Sequence, residues 1–299
     1  MYEQISRNKW KSLFLILFFL SWVFLLAWLF GELTGFGTAA LILAAIIAAA
    51  SAFGSYYYSD KIVLAISRAK PVEKQDYPYL YNVVEGLAIA AGLPKPRCYL
   101  IDDTAPNAFA SGRNPKNSVI VVTKGLLEKL NRVELEGVIS HEMSHIKNYD
   151  VLVQTLAVVM VGIVALLSDW ILRSFFWGGG RRRARSSKGR GGDAAVILVV
   201  AGLLLAALSP LVAQLIRFAI SRKREFLADA NGALLTRYPP GLASALKKIG
   251  ADTEPLEAAN KATAHLYIVN PLKDLKGAVN NMFSTHPPLA ARIAALEKM

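Results

Sequence analysis

Two long apolar runs, Leu13 to Phe30 and Thr38 to about Tyr58, set the first constraint on this chain, because neither contains a charged residue. With its flanks, each is long enough to cross a hydrocarbon core of about 30 Å as a helix. A helix also satisfies its own backbone hydrogen bonds where water is absent. No small-residue cleavage pattern follows the first run and a second run does, so it reads as an uncleaved span rather than a signal peptide. Gly31 to Gly37 joins the two and carries only Glu32. Arg7, Lys9 and Lys11 precede the pair; Tyr56, Tyr57 and Tyr58, an interfacial aromatic belt, then Lys61, Arg68 and Lys70, follow it. By the excess of Lys and Arg on the cytoplasmic side, the N-terminus and everything after residue 60 lie in the cytoplasm.

A third apolar run, Val151 to Ser168, and a fourth, Ala194 to Phe218 with Pro210 inside it, make a second hairpin. Its connection, Gly178 to Asp193, carries Arg181, Arg182, Arg183, Arg185, Lys188 and Arg190. If both arms span, this loop lies outside, against the charge rule; if they do not, the hairpin is re-entrant. Four spans are expected, since both arms are long enough, with the Gly/Ser/Arg loop a disordered tether near lipid headgroups. A hydrophobic share of 54% agrees with an integral membrane protein. The net charge of +12 is read as attraction to anionic lipid, because the basic residues flank apolar runs and no nucleic-acid motif is present. A single cysteine, Cys98, excludes an internal disulfide and reads as a small core residue in a strand.

Between the hairpins lies His141-Glu142-Met143-Ser144-His145, an H-E-x-x-H pattern in a chain with only four histidines. Asn131 with Glu134 three residues on predicts a capping box, and Val138, Ile139, Met143 and Ile146 recur at helical spacing. On a helix, positions i and i+4 share a face, so His141 and His145 can offer two imidazole nitrogens to one ion. Glu142 then stands beside the metal, placed to take a proton from water there. A catalytic zinc site takes three protein ligands, and cysteine is not at hand. Glu225, in Glu225-Phe226-Leu227-Ala228-Asp229, is the third ligand expected. Asp229, four residues on, is placed to bond the second nitrogen of a ligating histidine. Arg222 shares that helical face, as a charge partner in the site or an orienting salt bridge. Asp150, at the end of the H-E-x-x-H helix, is a further supporting candidate.

These segments, with the hydrophobic hairpin between HEMSH and SRKREFLADA, resemble the HtpX family of membrane zinc metalloproteases, relatives of the CAAX prenyl proteases. Asn107-Ala108-Phe109-Ala110-Ser111-Gly112 resembles that family's N-A-F-A-x-G segment. Ser284-Thr285-His286-Pro287-Pro288 with Arg292-Ile293 resembles its T-H-P-P and R-I. The basic insert 178–193 is the departure. The resemblance implies an α-helical integral membrane protein with a mainly α (α+β), zincin-like catalytic domain carrying a small β-hairpin or sheet. It also implies one Zn2+ per chain and the cleavage of misfolded or damaged membrane proteins, a quality-control and stress-response role. The expected division is 1–60, the first transmembrane hairpin; 61–150, the first part of the protease domain; 151–218, the second hairpin; and 219–299, the second part.

Within the first part, Tyr79 to Ala91 is predicted helical, Arg97 to Ile101 and Ser118 to Thr123 are predicted strands, and Asn107 to Ser111 is the strand entering a hairpin. If Asn107, Ala108, Phe109 and Ala110 form an exposed edge, a peptide substrate can add to it as a further strand. In the second part, helices are expected at Leu242–Ile249, Leu256–His265 and Leu289–Lys298. His265 reads as structural. His286 either polarises the substrate carbonyl or caps the last helix. No Walker-type phosphate loop is present, so ATP is not expected to be required. The rival readings are a prenyl-peptide protease, whose relatives use more spans than can be counted here, and a silent membrane-protein-binding scaffold, which need not keep Glu142. A transporter would place ionisable residues inside its spans, and the first two spans have none.

Overall fold

The computed structural model describes residues 2–34, 37–163, 221–260, 263–271 and 287–299. Helix α1 covers Tyr2–Thr34 and α2 covers Gly37–Ile66, so the two apolar runs fall within them. Among the described residues no single helix is long and apolar enough to cross a membrane. The fourth apolar run, the basic loop 178–193 and His286 lie outside the described residues.

A four-stranded sheet follows: β1 (Lys70–Pro71), β2 (Arg97–Ile101), β3 (Ala108–Asn114) and β4 (Asn117–Thr123), in the order β1-β2-β4-β3. β2 runs parallel to β4, and β3 pairs antiparallel with β4, Ala108 opposite Val122 and Ala110 opposite Ile120. β4 reads as one apolar run because both its faces are buried. Ile120 and Val122 face a core with α3 (Pro78–Ala91) and α5 (Arg132–Lys147), beyond the short α4 (Lys124–Lys129). Val119 and Val121 face a second core with Phe109, Val63, Leu64 and Tyr267. Cys98 sits buried in β2, and burial pushes its thiol up to about 11. The β1 pairing, only two residues long, carries no pattern a sequence reading could use.

α5 begins as its sequence predicts. The Asn131 side chain accepts from Glu134 N–H at 3.1 Å, and the Glu134 carboxylate accepts from Asn131 N–H at 2.8 Å. Glu134 is also held by Ser244 and Lys248 of α8 (Pro239–Ala251), which ties the start of α5 to that helix. α5 and α6 (Asp150–Ile163) meet at 82°, with Tyr149 at φ 60 making the bend. They are apolar enough as a pair to cross a membrane, yet α5 is buried inside the protein. α7 (Arg222–Thr236) packs across α5 where Gly232 lets the two backbones close: a Cβ there would stand 3.0 Å from His141 N. α9 (Leu289–Leu296) completes the core through Leu296.

Two helix expectations need correction. The α8 helix starts earlier than expected, because Pro239 and Pro240 fit its first turn, where no N–H partner is needed. Leu256–His265 is not a helix: only a 3-10 turn, Ala264–Leu266, forms among its described residues. Asn260 takes the backbone away from helix, its side chain accepting from Thr263 N–H at 3.0 Å, while Leu256, Leu266 and Tyr267 reach into the second core.

Candidate metal centre

His141, Glu142 and His145 lie in the second half of α5, His145 in its last turn, and Glu225 and Asp229 in the first half of α7. All five are buried. The helical spacing turns both histidine Nε2 atoms the same way, 3.1 Å apart. Glu225 closes the group, one carboxylate oxygen 3.6 Å from His141 Nε2 and the other 3.5 Å from His145 Nε2. A small tetrahedral cation with nitrogen and oxygen ligands at about 2.0–2.2 Å spaces those ligands about 3.3–3.5 Å apart. The three separations, 3.1, 3.5 and 3.6 Å, lie within about 0.2 Å of that spacing, and the donor set of two imidazoles and a carboxylate is one such a cation accepts.

The far nitrogens fix the tautomers. His141 Nδ1 lies 2.9 Å from Asp229, and His145 Nδ1 lies 3.1 Å from Asp150. Each Nδ1–H donates to a carboxylate, which leaves both Nε2 lone pairs facing the centre. Burial pulls His141 down, but its bonds to Asp229 and Glu225 outweigh that and hold it up at about 9. Burial raises Glu142 above the usual carboxylate range, against the two histidines, which lower it. One of its oxygens, Oε1, is buried with no hydrogen-bond partner among the described residues, while the backbone of Ala110 on β3 bonds its carboxylate. An unmatched buried carboxylate oxygen beside three convergent donors is where a water at a metal would be received.

Arg292, quoted in the R-I match, and Arg224, within SRKREFLADA, were given no role by the sequence reading and complete the surroundings. Arg292 of α9 makes a forked ion pair to Asp229 at 2.8 and 2.6 Å, lies 3.4 Å from His141 Nδ1 and stands 3.8 Å from Glu225. That pairing holds Asp229 below the usual range despite its burial. Arg224, not Arg222, reaches Asp150, at 3.4 Å; Arg222 is exposed at the start of α7. The correction is one of helix rotation: the close approach at Gly232 turns the Arg224 and Glu225 side of α7 inward.

β3 is a sheet edge by topology, but its edge is not exposed. Asn107, Ala108, Phe109 and Ala110 are all buried. Ile268 N–H donates to the Ala108 carbonyl at 2.9 Å, the Asn107 amide donates to Val269 O at 2.9 Å, and Tyr267 stacks edge-on against Phe109. Arg292 also donates to Ile268 O at 2.8 Å, so this covering segment is tied to the metal centre. His265 is buried away from the centre, 3.4 Å from Gln154 O.

A model of peptidase family M48 matches residues 74–299. Relatives described as protease HtpX homologues cover the whole of this chain. The one from Dictyoglomus turgidum is 48% identical, with 94% of its own length covered. Those from Tropheryma whipplei and Thermoanaerobacter pseudethanolicus are 44% and 43% identical, each with 98% covered. The crystal structure of S. mikatae Ste24p is similar in fold, with a TM-score of 0.51 at 19% identity, over 99% of this chain and 67% of that one.

Proposed function

The chain belongs to peptidase family M48, among the HtpX proteases, and from that premise we propose that it is a zinc-dependent endopeptidase of the cell membrane. His141, His145 and Glu225 hold the ion, and Glu142 is the base. A zinc ion in that place supplies Lewis acidity, lowering the pKa of water to about 7 and polarising a carbonyl. Glu142 takes the proton of the attacking water and passes it to the leaving amine, a task suited to a carboxylate whose basicity burial raises. Asp229 and Asp150 keep the two imidazoles oriented. No side-chain nucleophile and no acyl-enzyme are required.

The observation that carries this reading is the closure of three buried donors on one point beside a partnerless Glu142 oxygen. The substrates proposed are damaged or misassembled membrane proteins, cleaved near their cytoplasmic segments. The two apolar hairpins, 1–60 and 151–218, anchor the chain, and the protease domain is divided between 61–150 and 219–299. A substrate strand would pair with β3 at Ala108 and Ala110 by exchanging places with Ile268.

The test compares the purified full chain with Glu142→Gln on an unfolded polypeptide and on a membrane protein in liposomes. Zinc bound by both, with cleavage of either substrate only by the unaltered chain, supports the reading. Equal cleavage by both assigns the activity to another site. Zinc without cleavage by either would favour a silent binding scaffold.

A further inference from the structure

The N-terminal helix reaches the metal centre. Asn8 of α1 is 2% exposed, although it lies at the end of a helix otherwise made for an apolar environment. Its amide donates to Asp150 Oδ1 at 2.7 Å and to Asn148 O at 2.8 Å. Its carbonyl oxygen accepts from Arg224 at 3.3 Å. Both hydrogens and the acceptor of the side chain are therefore engaged. The other oxygen of Asp150 holds His145 Nδ1 at 3.1 Å. A short chain of hydrogen bonds thus runs from α1, through Asp150, to a metal ligand.

We propose that Asn8 is a positioning residue for the metal centre, fixing through Asp150 the ring of His145, so that the N-terminal hairpin is part of the site rather than only its anchor. The physical reason lies in how Asp150 is bound. A carboxylate on the first residue of α6, just after a bend, keeps one rotamer only if both of its oxygens are held. Arg224 reaches the same oxygen as Asn8, but at 3.4 Å, so the shorter bond comes from Asn8. Asn8 also clamps Asn148 O inside the bend itself, so the amide locks the side chain and the backbone that carries it. Without those bonds, Asp150 is free to turn toward Arg224, and His145 loses the acceptor that holds its tautomer.

This inference rests on the metal-centre reading above, and the experiment separates the two. The full chain in detergent is titrated with zinc against a chromophoric chelator, and the visible spectrum is taken with cobalt in place of zinc. The variants are Asn8→Ala, Asn8→Asp, which keeps the shape and the Arg224 contact but loses the amide donor, and Ser6→Ala as an exposed control on the same helix. Weakening of zinc binding by about ten-fold in both Asn8 variants, with a changed cobalt spectrum, is expected. The metal-free melting temperature of Asn8→Asp should fall, because its carboxylate faces that of Asp150, whereas every property of the control should hold. In an Asp150→Ala background, Asn8→Ala should have almost no further effect, since it acts through that carboxylate. Zinc affinity within two-fold of the unaltered chain, or an Asn8 effect that persists undiminished without Asp150, would overturn the proposal while leaving the metal centre standing. Failure of the unaltered chain to bind zinc would overturn both.

Discussion

Gly232→Ala tests how α7 is brought to the metal centre. The added Cβ would stand 3.0 Å from His141 N and Ser140 Oγ, and 3.2 Å from His141 Cα. Ordinary contact is about 3.5–4.0 Å, so α7 must withdraw by about half an ångström, because the His141 backbone sits in a buried helix and cannot give alone. Glu225 lies seven residues earlier on α7, about 10 Å along the axis, and moves with it. Metal–ligand distances tolerate only about 0.2 Å, so zinc affinity should fall about ten-fold or more. Stability is a closer contest. Overpacking costs about 1–3 kcal/mol, against about 1 kcal/mol gained by replacing a mid-helix glycine. A net loss of about 0–2 kcal/mol follows for the metal-free chain. Gly86→Ala in α3 is the matched control: nothing lies within 4 Å of its Cβ, so only the gain remains. The assay is thermal unfolding of both variants, metal-free and zinc-loaded, with chelator competition. If Gly232→Ala gained stability like Gly86→Ala and kept its zinc affinity, the account of α7 docking would be wrong.

Arg292→Ala leaves Asp229 a buried carboxylate held by His141 but stripped of its forked cation, so it should destabilise by about 3–5 kcal/mol, and Arg292→Lys should recover only part because it cannot fork, both read by denaturant unfolding. In the metal-free chain His141 is held up at about 9 from 6.5, so its contribution to stability is full below pH 6.5 and is lost as pH rises through about 9. Zinc must displace that proton, so apparent zinc affinity should fall by at least about ten-fold for each pH unit below 9, with proton release on binding measured by calorimetry; an affinity flat from pH 6 to 9 would contradict this. Ile268→Pro removes the donor that occupies the Ala108 carbonyl, and Tyr267, at φ −71 and ψ 145, tolerates a following proline. At about 1 kcal/mol for one hydrogen bond, KM for an extended peptide should fall about five-fold with kcat unchanged, and an unmoved KM would place substrate elsewhere.

What was legible in the sequence was local. The capping box, the i, i+4 histidines and the apolar strand runs and turn residues around 97–123 each depend on neighbours within a turn or a hairpin. The pairing of α5 with α7 was readable because two short motifs name their own ligand types. The remaining contacts join residues far apart in sequence, such as Asn8 with Asp150 and Arg292 with Asp229, where no period links the partners. Spacing favoured Arg222, three residues before Glu225, over Arg224, since the rotation of α7 is set by a glycine contact with another helix. An exposed β3 edge was a condition in the sequence reading, and its cover, Tyr267 to Val269, follows the expected helix Leu256–His265 in a stretch to which no element was assigned.

X-ray absorption at the zinc edge, on the full chain reconstituted with zinc, tests the central claim most directly. The account predicts one ion per chain with two imidazole nitrogens and oxygen ligands at about 2.0–2.2 Å, and loss of that signature in Glu225→Ala. No bound zinc, or a spectrum that Glu225→Ala leaves unchanged, would contradict it.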